Sequence, residues 1–443
     1  MQEYETDPER RENEKKRAGA GSWIVLILVW AAVAAAAAFL ILTLLGRNPK
    51  PAEPSAVPSD SSAVSEEKSG SSGAVTAELQ SSEAPTEEAP STELPTTEAP
   101  TTEPPTTEAP TKPLPEPIGD EVTGPADVTA KIAKYGTVYI ADGCGYGGYW
   151  FGETQSARYC EYVSRLAKNL EGTAAVYDVI CPLAAGVNLS DETRQSVGLS
   201  DERAAIRWMC ERMDPAVRNV PVWGALKSRN DEYLYFRTDH HWTALGAYYA
   251  YREFCAAKGI RPHELDAFQT YVFEGYIGSL YNYSNKNQSL KSRPDTVTAY
   301  IPNGTNEMSC YIPNNSGGGY GKYSWPIVKD VSSYGRGSYY LTFVAGDQPY
   351  NYAHNETITD GSSVLIVKDS YGNAFIPFLV DHYEHIYWID YRSYADWAAW
   401  AGKADASISA LVAEKGIRDV ILCNNISSTG SKTLLNAMDK LFR

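Results

Sequence analysis

Histidine is scarce in this sequence, and its cysteines form no recognisable motif. Six histidines and seven cysteines are spread through 443 residues. No two cysteines stand in a C-x-x-C pair, which argues against a zinc cluster or a redox motif. Because the number of cysteines is odd and their spacing is wide, we expect scattered, mostly buried thiols rather than a disulfide framework.

The C-terminal three quarters of the chain lack a strong charge of either sign. The formal net charge is −16, but residues 49–120 carry 14 acidic side chains against three lysines. Residues 1–48 are balanced, so residues 121–443 have a net charge of about −5, which is ordinary for a globular domain. No basic field exists that would attract nucleic acid, and we expect no nucleic-acid partner.

Aromatic residues are absent from a long segment that follows the N-terminal region. No Phe, Trp or Tyr occurs between Phe39 and Tyr135, while 14 of the 26 prolines lie between Pro49 and Pro117. The segment repeats units such as TTEAP. Without apolar side chains it cannot bury a core. Residues 47–120 are therefore predicted to be a disordered linker rich in Pro, Thr and Glu.

Charge is absent from a second, apolar stretch. Residues 22–46 form a run of 25 residues without a charged side chain, which is long enough to cross a bilayer as a helix. A cleaved signal peptide usually has a shorter apolar core, so we predict a retained transmembrane helix. Five basic residues lie between positions 10 and 17. The positive-inside rule then places residues 1–21 in the cytoplasm and the C-terminal domain outside the cell membrane.

The remaining residues, 121–443, are predicted to be one α/β domain, because strand-like and helix-like runs alternate along them. We predict strands at Tyr135–Ala141, Ala174–Leu183, Val364–Val367, His385–Arg392 and Asp419–Asn425, and helices at Ser156–Gly172, Ser200–Met213, Thr243–Gly259, 371–383, 395–416 and 431–442. Ser200 and Thr243 are candidate N-caps, and Gly259 is a candidate helix stop. The alternation favours a mostly parallel sheet. Residues 282–360 are rich in Asn, Ser, Gly and Tyr, and should insert loops and short antiparallel strands.

Polar side chains follow the last three predicted strands, in the segments Lys368–Asn373, Asp390–Arg392 and Asn424–Asn425. Ligands of open α/β sheets bind at these carboxyl ends. Ser370 lies in a strand-to-helix turn, where a serine is well placed as a nucleophile and the N–H groups of the helix start can receive an oxyanion. Simple capping of the helix by Asp369 or Ser370 is the alternative explanation.

The segment TDHHWT, residues 238–243, can supply the base that such a serine needs. Asp239 and His241 are two residues apart, so they point the same way if the segment is extended. Asp239 would then hold one ring nitrogen of His241 and leave the other for Ser370. His240 would point elsewhere. A polar turn without chemistry explains the same residues equally well.

A metal site is the rival interpretation of TDHHWT. Aspartate and histidine are acceptable ligands, but adjacent histidines seldom converge on one ion, and no H-E-x-x-H spacing occurs. The other four histidines show no ligand pattern: His263, His354, His382 and His385. We therefore predict neither a metal nor a cofactor.

Four segments together resemble the DHHW protein family: TDHHWTALGAYYAYREF, FEGYIGSLY, VLIVKDSYGNAFIPFL and YWIDYR. The resemblance runs from about Tyr135 to the C-terminus. The family is similar to the SGNH-fold O-acetyltransferases of bacterial polysaccharides, the alginate acetylation proteins among them. The resemblance implies an SGNH-hydrolase-like (flavodoxin-like) three-layer fold. Trp242 stands where the DHHC palmitoyltransferases have their cysteine, so that chemistry is not implied.

The resemblance also implies roles for individual residues. Ser370 matches the nucleophile, and Asp239 and His241 match the Asp-x-His pair of a Ser-His-Asp triad. Asn425 lies where an SGNH protein has its Gly-x-Asn-Asp block, although a cysteine replaces the glycine. The backbone N–H of Ser370 or Tyr371, together with Asn425 or Arg392, is expected to stabilise the oxyanion.

Arg392 is the best candidate to line the site after the second of the three C-terminal strands. A salt bridge from Arg392 to Asp390 is the alternative for that side chain.

The function implied is that of an O-acetyltransferase or acetylesterase acting outside the cell on a surface or wall polysaccharide. The expected partners are a glycan substrate and a multispanning membrane protein that delivers the acyl donor, since this chain has a single predicted span. A non-catalytic glycan-binding or wall-associated protein on the same fold is the alternative. The sequence leaves transferase and esterase equally open.

Overall fold

The computed structural model describes residues 116–119, 122–314 and 318–443. The predicted cytoplasmic tail (1–21) and transmembrane helix (22–46) lie outside the described residues, as does nearly all of the predicted linker (47–120). None of the helices in the described ranges combines the length and apolar character that a bilayer crossing needs.

The strands of the described residues are short, and most lie in the C-terminal half. They are β1 Ala133–Tyr135, β2 Val138–Ala141, β3 Cys144–Tyr146, β4 Ala175–Cys181, β5 Val217–Asn219, β6 Gln269–Tyr276, β7 Asp295–Ile301, β8 Glu307–Pro313, β9 Tyr320–Pro326, β10 Tyr350–His354, β11 Ser363–Lys368, β12 His385–Asp390 and β13 Asp419–Asn425.

The helices alternate with the strands of the parallel part of the sheet. They are α1 Glu153–Asn169, α2 Ala184–Asn188, α3 Asp191–Ser196, α4 Glu202–Cys210, α5 Val222–Lys227, α6 Ala244–Lys258, α7 Ser279–Tyr283, α8 Gln288–Lys291, α9 Gly372–Leu379, α10 Tyr394–Trp400, α11 Ile408–Lys415, α12 Ile426–Gly430 and α13 Lys432–Leu441. Short 3₁₀ helices occur at Leu265–Ala267, Arg336–Thr342 and Val380–His382.

The largest sheet has eight strands in the order β5-β4-β13-β11-β12-β10-β8-β9. The five strands from β5 to β12 are parallel. Every residue of β11 is buried, as its continuous apolar sequence predicts for a strand inside a parallel sheet. One group of helices packs around α1 (α4, α12 and α13), and another packs around α6 (α5 and α9). The predicted α/β architecture is confirmed.

The antiparallel strands predicted for residues 282–360 are present, and three of them extend the main sheet. β10 pairs antiparallel with β12, β8 with β10, and β9 with β8. The fourth strand of this region, β7, forms a separate two-stranded sheet with β6. Most of the inserted region, residues 282–360, therefore lies beside the parallel strands that hold the predicted site residues.

Some predicted elements are wrong in detail. The single strand predicted over Tyr135–Ala141 is a hairpin of β1 and β2, and it belongs to a separate three-stranded sheet. Gly136 causes the break, because its φ of 59° places it in the left-handed region and turns the chain back. The helix predicted over 395–416 is two helices, α10 and α11.

Two of the three predicted helix-end residues are confirmed. Thr243 accepts a hydrogen bond from the third residue of its helix, and Gly259 ends the same helix in a left-handed conformation. The cap predicted at Ser200 is wrong. Asp201 caps that helix instead by accepting the N–H of Ala204 at 3.0 Å, while the hydroxyl of Ser200 accepts the N–H of Phe151, two residues before α1, at 3.0 Å.

The seven cysteines are all free thiols, as predicted, and five of them are buried. Cys181 and Cys423 lie on the adjacent strands β4 and β13, and their sulfur atoms are 3.7 Å apart. They pack in the core beneath the carboxyl edge of the sheet.

Candidate active site

The carboxyl end of β11 runs into a tight turn that holds Ser370. The carbonyl of Asp369 accepts the N–H of Gly372 at 3.1 Å, and its side chain accepts the N–H of Tyr371 at 2.9 Å. A Cβ atom at Gly372 would lie 2.6 Å from the Cβ of Lys368, so only glycine fits this turn. Ser370 is consequently held at the edge of the sheet and remains partly exposed.

A second loop, residues 236–241, faces this turn. It is closed by a β-bridge between Tyr235 and Trp242 and is anchored by Asp295. The carboxylate of Asp295 is completely buried and accepts both the N–H (2.8 Å) and the hydroxyl (2.5 Å) of Thr238. It also accepts the N–H of Arg237 at 2.8 Å. The position of the loop thus depends on a buried carboxylate at the start of β7.

Asp295→Ala is expected to lower the free energy of unfolding by about 3 kcal/mol or more. The substitution leaves at least two backbone N–H groups and the hydroxyl of Thr238 unpaired, and each buried unpaired group costs about 1–3 kcal/mol. Denaturant unfolding of the full chain measures the change. Asp330→Ala is the control, because this exposed carboxylate bonds locally to Ser332, and the stability of the variant should match the wild type. Equal stability of the two variants would contradict the anchoring role.

The structure brings Ser370, His241 and Asp239 together in one hydrogen-bonded chain. The Nε2 atom of His241 lies 2.8 Å from the hydroxyl of Ser370, which is 129 residues away. Its Nδ1 atom lies 2.6 Å from Oδ1 of Asp239. The contact between Asp239 and His241 is as predicted, but the extended conformation is not. The residues lie in a bend, and the backbone N–H of His241 also bonds Oδ1 of Asp239 at 3.1 Å.

Asp239 is held in its ionised form. Burial opposes ionisation, but the electrostatic attraction and hydrogen bond between Asp239 and His241 outweigh it, together with a 2.8 Å hydrogen bond from the N–H of Ser279. They keep the pKa of the Asp239 carboxyl well below its usual range. An ionised acceptor at Nδ1 favours the tautomer with its proton on that nitrogen. Nε2 is then free to accept a proton from Ser370.

Tyr340 holds both partners of the Ser370–His241 contact. Its ring stacks on the His241 ring at 4.0 Å with an interplanar angle of 8°, and its hydroxyl donates to the carbonyl of Ser370 at 2.9 Å. It lies in the inserted region, far from both motifs in sequence. Sequence reasoning missed it because no local signal distinguishes it among the chain's 31 tyrosines.

Tyr340→Phe is expected to reduce turnover modestly, and Tyr340→Ala strongly. Phenylalanine keeps the ring on His241 and loses one hydrogen bond, worth about 1 kcal/mol, which is roughly fivefold in rate. Alanine also removes the surface that holds the imidazole. Rates on a chromogenic acetyl ester compare the two variants. Identical rates for the Tyr340→Phe and Tyr340→Ala variants would show that the stacked ring does not position His241.

His240 does not take part in the chain that links Ser370 to Asp239. Its Nδ1 atom lies 2.7 Å from the hydroxyl of Ser279, and its side chain is exposed. The donor atoms of Asp239, His240 and His241 lie close enough together to suit a metal ion. Such an ion would displace the 2.6 Å hydrogen bond between Asp239 and His241, so this geometry suits a proton-transfer site better.

Two of the predicted oxyanion donors have other partners. The N–H of Tyr371 and the side-chain amide of Asn425 both donate to Asp369, at 2.9 and 2.6 Å. The hydroxyl of Ser428 donates to the same carboxylate at 2.8 Å. Asn425 therefore ties the end of β13 to the Ser370 turn. The structure gives the backbone N–H of Ser370 no acceptor among the described residues, which leaves it available to a substrate.

Arg392, predicted to line the site, forms ion pairs with two carboxylates. Its guanidinium makes a bidentate contact with Asp390, at 2.8 and 2.5 Å, and contacts Asp347 at 2.8 Å. The buried ammonium of Lys368 lies 3.3 Å from Asp347 and 3.5 Å from Asp390. The salt bridge weighed as the alternative is thus present. Arg392 keeps about a third of its side chain exposed at the carboxyl edge of β12.

Asp347 reaches this charged group through a strained loop. The three residues before it, Val344, Ala345 and Gly346, have φ angles of 48°, 56° and 78°. A β-branched residue rarely adopts a positive φ, and such strain persists only where the surroundings impose it. Here the N–H of Val344 bonds the carbonyl of Ile327 at 2.7 Å. The loop therefore places a carboxylate beside Lys368 and Arg392 at a cost in backbone energy.

Two comparisons with known proteins point to the DHHW protein family. The sequence profile described as DHHW protein matches residues 113–389. A DHHW family protein from Eubacterium siraeum is 27% identical, with a TM-score of 0.59; the match covers 72% of this chain and 99% of that one. PatB1 of Bacillus cereus, solved with a sulfonyl adduct, is 15% identical, with a TM-score of 0.53; that match covers 68% of this chain and 97% of PatB1. No protein of curated function matches the sequence.

Proposed function

The chain belongs to the DHHW protein family, and from this premise we propose that it is a serine acyl-ester enzyme, an O-acetyltransferase or acetylesterase of a cell-surface or wall polysaccharide. The observation that carries the proposal is the hydrogen-bonded chain from Ser370 through His241 to the ionised Asp239. Nucleophile, base and orienting carboxylate stand in the order that acyl transfer to serine requires.

The proposed reaction moves one proton back and forth through His241. As the oxygen of Ser370 attacks the carbonyl carbon of an acetyl ester, Nε2 of His241 takes its proton. Collapse of the tetrahedral intermediate returns that proton to the leaving alcohol and leaves an acetyl group on Ser370. A sugar hydroxyl or water then attacks the acetyl group while Nε2 of His241 takes its proton; the ester bond to Ser370 breaks, and His241 returns the proton to the oxygen of Ser370. Asp239 stays ionised throughout and stabilises the imidazolium.

The oxyanion of the intermediate needs donors that are already in place. The free N–H of Ser370 is the first donor we propose. Arg392 is the second candidate, since part of its guanidinium remains exposed beside the site while Asp390 fixes its orientation. In this arrangement Tyr371 and Asn425 support the turn through Asp369 and do not contact the oxyanion.

Aromatic side chains at the same edge of the sheet suit a sugar substrate. Tyr311 of β8 lies beside Tyr350, the first residue of β10, which pairs with Ile389 near the carboxyl end of β12. Trp400 contacts Tyr311 and Tyr320, with ring centroids 6.3 and 5.4 Å apart, and is half exposed. We propose that these rings stack on sugar residues.

The proposal also includes the type of fold, the membrane topology and a membrane partner. We propose an SGNH-hydrolase-like three-layer fold, supported by the parallel sheet and its two groups of helices. We also propose one membrane span at 22–46, an extracellular domain and a multispanning partner that supplies the acyl donor. The apolar run and its flanking charges support the membrane topology.

Covalent labelling tests the proposed nucleophile directly. PatB1 has been solved with a sulfonyl adduct, and we expect a sulfonyl fluoride to modify this chain once, on the peptide that contains Ser370. Mass spectrometry locates the adduct. An adduct confined to another residue, or none at concentrations that label other serine esterases, would overturn the assignment.

Titration with cell-wall fragments separates enzyme from binding protein. An acetylesterase releases acetate from acetylated fragments, and a transferase moves label from an acetyl donor to deacetylated fragments. Tight binding with neither reaction would favour the alternative of a non-catalytic glycan-binding protein.

A further inference from the structure

Three potential metal ligands lie together outside the active site. Oε1 of Glu384 is 3.7 Å from Nε2 of His354 and 3.6 Å from Nε2 of His385. One donor atom from each residue lies within 4.8 Å of the other two. We propose that His354, Glu384 and His385 form a binding site for a divalent transition-metal ion, with Zn²⁺ as the best-fitting ion.

The spacing of these atoms is close to that of a zinc site. Ligands bound about 2.1 Å from a tetrahedral ion lie about 3.4 Å apart. The separations of 3.6 and 3.7 Å between the carboxylate and the two imidazoles are within a few tenths of an ångström of that value. Because the two rings lie nearly parallel, one imidazole must also rotate about its side-chain bonds to direct its nitrogen at the ion. Two imidazoles and one carboxylate select Zn²⁺ or its neighbours over Mg²⁺ and Ca²⁺, which prefer oxygen ligands.

The backbone places these side chains together. His354 and His385 are direct partners on the antiparallel strands β10 and β12, so their side chains emerge on the same face. Their rings stack with centroids 5.0 Å apart and an interplanar angle of 16°. Glu384 directly precedes β12, and its carbonyl accepts the N–H of Asn355 at 2.9 Å. The sequence alone hides the site, because the two histidines are 31 positions apart.

Neighbouring groups already orient two of the three ligands. The hydroxyl of Tyr352 lies 3.0 Å from Nδ1 of His385, which leaves Nε2 of that ring for an ion. The other carboxylate oxygen of Glu384 accepts the N–H of Gly361 at 2.7 Å, which leaves Oε1 free. Contacts of this kind around the ligands are what fixes ring orientation in metal sites.

The proposed site is separate from the catalytic chain. His385 pairs with Ser363 at the start of β11, whereas Asp390 pairs with Lys368 at its end. Five strand steps separate the two pairs, or about 17 Å at 3.3 Å per residue. A cleft of about 500 Å³ adjoins His354 and is also lined by Lys322. It leaves room for water or an external group as the fourth ligand of the ion.

Zinc binding by the full chain, prepared without a histidine tag, tests the proposal. Calorimetric titration with zinc chloride should give one tight site per chain. The affinity should fall at least about 100-fold when His354→Gln and His385→Gln are combined. Glu384→Gln alone should weaken binding and keep the side-chain volume. His263→Gln is the matched control, because this ring also lies beside another histidine and its loss should leave zinc affinity unchanged.

A second pair of measurements separates this site from the catalytic one. Tyr352→Phe should weaken zinc binding about tenfold, since it removes a contact to the ligand ring and no ligand. Zinc should raise the midpoint of thermal unfolding of the wild type and not of the double variant. Absence of zinc binding to the wild type would overturn the proposal. So would undiminished binding in the folded double variant, which would place the ion at Asp239, His240 and His241.

Discussion

Ser370→Ala should lower the turnover of an acetyl ester by roughly 10⁴-fold or more, since loss of the nucleophile of a triad removes most of its catalysis. In the proposed reaction, the hydroxyl oxygen of Ser370 forms the bond to the acetyl carbon. Its removal leaves the N–H of residue 370 and the substrate-binding surface in place. We therefore expect kcat to fall and KM to stay within a few-fold of the wild type.

Ser427→Ala is a closely matched control for this experiment. Ser427 follows β13 by two positions, as Ser370 follows β11 by two positions. It is exposed and lies outside the hydrogen-bonded chain. Its loss should leave kcat and sulfonyl labelling unchanged. Wild-type rates in Ser370→Ala, with the control equally active, would assign any esterase activity to another residue.

The parallel strands of the central sheet can be predicted from the sequence because their signal is local. The short apolar runs of β11 and β13, rich in β-branched residues, are typical of strands buried on both faces, so the alternation of strands and helices in the C-terminal third is predictable. β5 is a three-residue edge strand and is too short to carry a pattern. The addition of β10 to β12, and of β8 to β10, depends on contacts between segments that are distant in sequence.

The residues of the candidate site likewise fall into two groups, those that a local motif reveals and those that it does not. Ser370, Asp239 and His241 can be found from two short motifs, because each motif carries the chemistry of its residues. The supporting groups cannot be found in this way. Asp295 is one aspartate among many, yet it anchors the TDHHWT loop, and Tyr340 reaches both motifs from a third segment.

Two of the predicted oxyanion donors, Tyr371 and Asn425, have another partner for a reason that only the structure reveals. Asp369 is fully surrounded by protein, and burial raises the pKa of its carboxyl. Hydrogen bonds from Tyr371, Asn425 and Ser428 compensate that cost of burial. The sequence motifs predict that the polar groups of Tyr371 and Asn425 contact the substrate. In the structure they donate hydrogen bonds to the buried carboxylate of Asp369 instead.

Asp239→Asn should cost about 10⁴-fold in kcat, the size expected when a triad loses the carboxylate that sets its tautomer. The asparagine amide can donate to Nδ1 of His241 and so favour the tautomer with its proton on Nε2. That proton would face Ser370, and His241 could no longer act as base. KM should change little, because Asp239 contacts His241 and Ser279 rather than the exposed surface.

A stability measurement separates this effect from simple unfolding. The pKa of Asp239 is depressed in the folded state, so its carboxylate stabilises the fold above the ordinary aspartate pKa of about 3.9 and loses that contribution only as the pH falls below it. At neutral pH the asparagine variant should therefore unfold at lower denaturant concentration while remaining folded in buffer. Asp381→Asn serves as control, since that carboxylate likewise accepts backbone N–H groups, at Asn303 and Gly304, away from Ser370. A folded Asp239→Asn protein with the activity of this control would show that Asp239 does not set the state of His241.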